Sequence, residues 1–191
     1  MKTLNQILSR LRDLNYRIYE SGNYNLNIVG IRNRHLNTNT FNDELHCIFK
    51  LNGVWIDKCY QITTDPGFKS LQNPQNNKGC SILVPNQYLN CYKLGYHKGQ
   101  YLALVQNKPV QVYRDNNKDK IMDLNPKSID NGVFGINIHK AGLDSNIVED
   151  WSAGCQVFKR KSDYDEFISL CIKSSKIYSN SFTYTLLDDF D

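Results

Sequence analysis

The residues Gly135-Ile136-Asn137-Ile138-His139 and, a short connection later, Trp151-Ser152-Ala153-Gly154-Cys155 outline two strands with a tight turn between them. Val133, Gly135, Asn137 and His139 follow the alternation of a strand that delivers His139 at its end. Ser152 and Gly154 mark the turn, and the apolar pair Val157-Phe158 begins the second strand. Small residues there let backbone amides converge beside the sulfur, as an oxyanion site requires. A thiol is a strong nucleophile as its thiolate, and an imidazole within hydrogen-bonding reach takes the proton and stabilises the charge that results. The competing reading of Cys155 is a plain buried thiol, because free cysteine is among the most buried residue types and this chain has six.

Outward from this stretch the chain is rich in strands. Leu26 to Arg32 reads as one strand. His46 to Leu51 and Val54 to Ile56 form a hairpin, because Asn52-Gly53 supplies the positive φ angles of a primed turn. Tyr101 to Val105 and Val110 to Arg114 read as a second hairpin around Asn107-Lys108. Residues 1–22 read as an N-terminal helix: Thr3 and Gln6 make a capping box, Leu4, Ile7, Leu8, Leu11 and Leu14 form one apolar stripe, and Gly22 can end it. The stripe is expected to pack on the sheet. Ser162 and Asp165 read as the cap of a closing helix that buries Phe167, Leu170 and Cys171, and a last strand covers Phe182 to Leu187. Residues 65–78 and 116–131 read as long loops, which in compact domains often cover active sites. The whole, 1–191, reads as one mainly β domain with flanking helices (α+β), a curved sheet or open barrel. With 40% apolar and 12% aromatic residues it can bury one good core.

On its His and Ser-x-Gly-Cys residues the chain resembles the catalytic domain of the L,D-transpeptidases, cysteine enzymes that cut and rejoin peptidoglycan stem peptides. The likeness extends to Ile62-Thr63-Thr64-Asp65-Pro66-Gly67 and Lys78-Gly79-Cys80-Ser81-Ile82-Leu83, which fall in the order of that family's Thr-Gly segment and Thr-Pro-x-Gly strand. It covers about residues 45–187. Two positions depart: Ala153 stands where the family usually has a second His, and Val157 where it has Arg or Asn. The resemblance implies a curved mixed sheet, open β-barrel or sandwich of that catalytic type, and acyl transfer through a thioester on Cys155, with His139 as base and then acid. It implies that a backbone carbonyl from residues 140–142 orients the histidine, so that no acidic partner is needed; Asp144 and Asp150 are the alternatives. Gly154 and Cys155 would offer oxyanion amides, and Ser152 would orient the site or simply hold the turn. Gln156, His97 and Trp151 are the candidate substrate-binding residues. The partner is then peptidoglycan or its stem peptides, and no cofactor is required for catalysis.

Chain order separates this reading from papain-type enzymes, whose nucleophile precedes the histidine. The cysteines at 47, 59, 80, 91, 155 and 171 form no Cys-x-x-Cys pair, and the histidines at 35, 46, 97 and 139 show no ligand spacing, which argues against a structural zinc. Asp115, Asn117, Asp119 and Asp123 fall at the first, third, fifth and ninth positions of a calcium loop, although Lys120 and Pro126 stand where Gly and Glu belong; an ordinary Asp/Asn turn is the competing account. Tyr88, Tyr92 and Tyr101 could stack on sugar rings, but with twelve tyrosines strand packing is the plainer account.

A net charge of +4 without a dense basic block argues against nucleic acid and is compatible with an anionic cell wall. No apolar run approaches a membrane span, and no signal peptide is visible. Either a leader has been removed, or the protein is made in a host cytoplasm and reaches the wall by another route, as a bacteriophage endolysin or a virion-borne wall-penetrating enzyme does, and on that second ground hydrolysis is favoured over cross-linking. The alternatives are a non-catalytic phage virion protein that retains the fold for structure or binding, among other virion proteins, and a cysteine enzyme with an unrelated acyl substrate.

Overall fold

The computed structural model describes residues 1–33 and 38–191; His35 lies outside them. In chain order the strands are β1 (Asn27–Arg32), β2 (Asp43–Leu51), β3 (Val54–Thr63), β4 (Cys80–Leu83), β5 (Asn86–His97), β6 (Tyr101–Gln106), β7 (Val110–Asp115), β8 (Asp130–Gly132), β9 (Ile138–Lys140), β10 (Gln156–Phe158) and β11 (Phe182–Asp188). The helices are α1 (Leu4–Asp13), α2 (Phe68–Gln72) and α3 (Lys161–Ile177). Eight strands close into a barrel in the order β1-β11-β5-β6-β9-β10-β3-β2, and β4-β7-β8 form a separate three-stranded sheet. The fold is mainly β with flanking helices, as expected, but the barrel is closed rather than open. Closure follows because β1 pairs with β11 in parallel on one side and with β2 on the other, which leaves no free edge.

Local chemistry accounts for the best-defined elements. Asn52 (φ 50°) and Gly53 (φ 82°) make the primed turn between β2 and β3, and the strands pair from Leu51↔Val54 to Asp43↔Ile62. Alternate residues of β2, including Leu45, Cys47 and Phe49, join Ile62, Leu104, Ile138, Phe158 and Tyr184 in the barrel core, to which α3 adds Phe167, Leu170 and Cys171. The opposite face of the wall, with Val29, Ile31 and Ile48, is covered by Ile7, Leu8 and Leu11 of α1. Burying such a side chain contributes roughly 1.5–3 kcal/mol, so this stripe is what holds α1 in place.

Three expectations are corrected. The first helix has its capping box at Thr3 and Gln6 but stops at Asp13, nine residues before Gly22. Asn15 takes φ 54°, its amide bonds the Arg12 carbonyl and the Tyr16 amide bonds the Leu11 carbonyl, both at 2.9 Å, so a left-handed asparagine closes the last turn. β6 and β7 are not a hairpin. Both edges of β6 are taken, by β5 and β9, and the amides of Asn107 and Lys108 turn back to the Cys91 carbonyl while β7 joins the other sheet. At α3 the cap position is Arg160, with no side-chain cap bond; Ser162 lies inside the first turn and its hydroxyl meets Asp163. Among the described residues no helix is long and apolar enough to cross a membrane.

Candidate active site

β9 and β10 are parallel neighbours, with Gln156 opposite Ile138 and Val157 opposite His139. Side chains alternate along each strand, so Asn137 and His139 share a face with Cys155, which stands one residue before β10. Both Cys155 and His139 line one cavity of about 830 Å³, together with His97, Lys98, Arg114 and Trp151. Its other wall is the 69–81 segment, including Lys69, Asn73 and Ser81. Residues 65–78, expected as a loop, thus border the cavity and contain α2. Residues 116–131 are absent from its lining.

His139 is almost fully buried. Its Nδ1 lies 2.8 Å from the Lys140 carbonyl, which can only accept, so Nδ1 carries the proton and Nε2 holds the lone pair. The orienting carbonyl comes from the position expected. Tyr101 reinforces it, donating its hydroxyl to the same carbonyl at 3.3 Å and lying 3.4 Å from Nδ1. The ring stacks on His97, 4.2 Å between centroids. Burial, then the neighbouring His97, hold the His139 imidazole down at about 3. It is neutral at physiological pH, with a free lone pair, which is the form a general base needs.

Cys155 is half-buried, and its sulfur contacts the Asn137 amide at 3.4 Å and the Gly135 carbonyl at 3.5 Å, not the imidazole. Burial raises its thiol above the ordinary value, while the Asn137 N–H and the Lys98 ammonium pull it down. The resting pair is therefore thiol and neutral imidazole, not an ion pair.

Ser152 is fully buried and acts within the turn: its hydroxyl accepts from the Gly154 amide at 3.1 Å and donates to the Cys155 carbonyl at 2.9 Å. This corrects the expectation for Gly154, whose amide is engaged and is not a free oxyanion donor. The Cys155 amide has no hydrogen-bond partner among the described residues. Gly154 serves packing instead, with φ 125° and its Cα pressed against the Ser81 carbonyl.

Gln156 is also corrected. It points into the barrel, where its carboxamide accepts from the Tyr184 hydroxyl at 2.8 Å and donates to the Gly154 carbonyl at 3.3 Å. Strand alternation forces this: with Cys155 and Val157 turned one way, Gln156 must face the other. His97 and Trp151 do line the cavity. Of the tyrosines, Tyr88 and Tyr92 are core, and Tyr101 braces His139.

Asn137 is the residue that sequence reasoning passed over. It joins Cys155 through its amide, His97 Nδ1 through its side chain at 3.1 Å, and the Gln106 amide through Oδ1 at 2.9 Å. Its place two residues before His139, on the same face of the strand, was the available signal. Lys98, in the turn after β5, and Arg114, on β7, were missed because they lie far from the Cys155 turn in sequence; Arg114 stacks on Phe134 and bonds Asp130 and Ser81.

The 115–123 loop is joined by its own hydrogen bonds. The Asn117 amide donates to both Asp119 and Asp123, and the Asp123 amide donates to Asp115. Asn117 thus directs its NH₂ group, not its carbonyl, at the two carboxylates. The described residues hold one group in which three His, Cys or acidic ligand atoms converge, formed by Glu44, His46 and Cys59. Scans against protein-family models and against curated protein sequences find no match for this chain.

Proposed function

We propose that the chain is a cysteine acyltransferase or peptidase of the L,D-transpeptidase type, acting on peptidoglycan stem peptides. The observation that carries this reading is the shared cavity, in which a carbonyl-oriented neutral histidine on β9 faces a half-buried thiol at the entry to the adjacent parallel strand β10. The peptide carbonyl lies between them. As the S–C bond forms, the thiol leaves the Gly135 carbonyl and its proton passes to Nε2 of His139. The oxyanion that develops is held by the free Cys155 amide. His139 then protonates the leaving amine as the C–N bond breaks, giving a thioester that water or a second amine resolves. Arg114 is paired with Asp130, so Lys98 is a cation the cavity offers to the carboxylates of stem peptides, in place of the Arg or Asn the family usually has at position 157.

A second reading is favoured by the sulfur's contacts with Gly135 and by the engaged Gly154 amide: a virion structural or binding protein that keeps the fold without turnover. A thiol-directed acyl probe separates the two. Turnover requires selective labelling of Cys155, slowed by about 10² or more in His139→Ala; equal labelling of both proteins defeats it. Mass spectrometry of muropeptides after incubation then identifies the acceptor, and no product from any wall chemistry leaves binding alone.

A further inference from the structure

The β2–β3 hairpin carries a second cluster on the face turned away from the barrel core. His46 and Cys59 are direct cross-strand partners, and Glu44 lies two residues from His46 on the same face. His46 is almost fully buried. Its Nδ1 contacts both carboxylate oxygens of Asp57 at 3.0 Å, which directs Nε2 at Glu44 Oε2 (3.1 Å) and Cys59 Sγ (3.5 Å).

Asp57 and Glu44 are sufficient to hold a buried imidazole, so their contacts need no further cause. Cys59 is what they leave over. A ring nitrogen has one proton or one lone pair, and here a single Nε2 faces two partners at once. Glu44 also accepts from the Lys2 amide through Oε2 at 3.2 Å and pairs with the N-terminal ammonium through Oε1 at 3.3 Å, so what a metal ion at the centre of the three atoms resolves is the sharing of Nε2 between Glu44 and Cys59.

We propose that Glu44, His46 and Cys59 bind a zinc ion, with Asp57 as the positioning residue for the imidazole. Zinc–ligand bonds of about 2.0–2.3 Å in a tetrahedron place ligand atoms roughly 3.3–3.8 Å apart. The Nε2–Sγ separation of 3.5 Å falls in that range, the Nε2–Oε2 separation of 3.1 Å is a little shorter, and the three ligand atoms lie within 4.8 Å of one another, so binding needs only a small spreading of Glu44 from His46. One nitrogen, one sulfur and one carboxylate oxygen form a borderline-soft donor set that suits zinc and does not suit calcium or magnesium. A carboxylate on the far ring nitrogen is the usual support for a ligating histidine, because it fixes the tautomer and raises the basicity of the metal-bound atom. Binding replaces the protons on Nε2 and Sγ, which pass to solvent, while Asp57 keeps its hydrogen bond. Three protein ligands leave a fourth position for water. Linear spacing hides the site, because residues 46 and 59 become neighbours only through the register of the hairpin.

The site is independent of the cavity at Cys155, so its test is run in the full chain carrying Cys155→Ser, which removes the other accessible thiol. After dialysis against a chelator, cobalt(II) and zinc are titrated in turn. The proposal requires one equivalent of metal, a thiolate-to-cobalt charge-transfer band that disappears in Cys59→Ser, and a zinc-dependent rise in melting temperature absent from that variant. Cys59→Ser is a conservative change at a half-exposed position and keeps the fold available for comparison. Asp57→Asn should weaken zinc by roughly 10–100-fold while retaining the charge-transfer band. Binding of less than one equivalent, a cobalt spectrum without a thiolate band, or a zinc affinity unchanged in Cys59→Ser would each overturn it.

Discussion

The rings of His97 and His139 lie stacked, 4.2 Å between centroids and 21° from parallel. The stack joins the end of β5 to β9 and closes one side of the cavity over the His139 imidazole. Burial comes first and His97 second among the causes that depress His139. Replacing His97 by Ala removes both at once, by admitting water and by deleting the second ring. His139 should then titrate higher, closer to the ordinary histidine value, as followed by NMR of its ring protons. His97→Phe keeps the cover and should leave most of the depression. An unchanged titration in His97→Ala would show that the stack has no electrostatic role.

The direction of the Cys155 shift fixes the pH dependence of its reactivity. Burial raises the thiol above its ordinary 9.0 and outweighs the Asn137 N–H and Lys98. The reactive thiolate is then a minor species at neutral pH, and its fraction grows as pH climbs. The rate of iodoacetamide alkylation should keep rising past pH 9, with no plateau between pH 6 and 7. Lys98→Met removes the cation that favours thiolate and should slow the reaction at pH 8. A plateau near neutrality would mean that thiolate and imidazolium already form an ion pair at rest.

How far the residues alone reveal this arrangement depends on how local each determinant is. The β2–β3 hairpin is legible because Asn52-Gly53 dictates the turn by itself. The bond from His139 to Lys140 is also local, between adjacent residues, but it is expected only through the family resemblance, not from the residues themselves. Gln156 is misread because its direction depends on where β10 begins, and a one-residue difference in strand phase exchanges cavity for core. The β6–β7 pairing is misread for another reason: Asn107-Lys108 has the composition of a turn, but the edges of β6 are already occupied by β5 and β9. Barrel closure, and the meeting of His46 with Cys59, rest on register between separate strands, which no short window of sequence contains.

Ser152 offers a test of turn against substrate roles. Its buried hydroxyl links the Gly154 amide to the Cys155 carbonyl. Ser152→Ala leaves both groups unpaired in the interior of the turn, at a cost of about 1–3 kcal/mol for each that water cannot reach. The variant should melt several degrees lower, and Cys155 labelling should become faster with small reagents as the turn loosens. Wild-type stability combined with lost turnover would instead assign the hydroxyl to the substrate.

Gly154 is the position at which the Cys155 turn meets the second sheet. An added Cβ would lie 1.8 Å from the Ser81 carbonyl oxygen, a backbone atom of β4, and φ of 125° disfavours any L side chain. Neither conflict is relieved by a side-chain rotation, so Gly154→Ala must move the turn away from β4 or distort the strand. The expected loss is roughly 2 kcal/mol or more. For a chain of this length that lowers the melting temperature by about 4–8 °C. Because β4 forms one wall of the cavity, the same displacement should change the rate at which Cys155 reacts with a bulky acyl probe more than its rate with iodoacetamide. Ala153, the exposed neighbour, provides the control for stability: Ala153→Ser should leave the melting temperature unchanged. A Gly154→Ala protein with the wild-type melting temperature and labelling rates would mean that the close approach to Ser81 does not constrain the turn in solution.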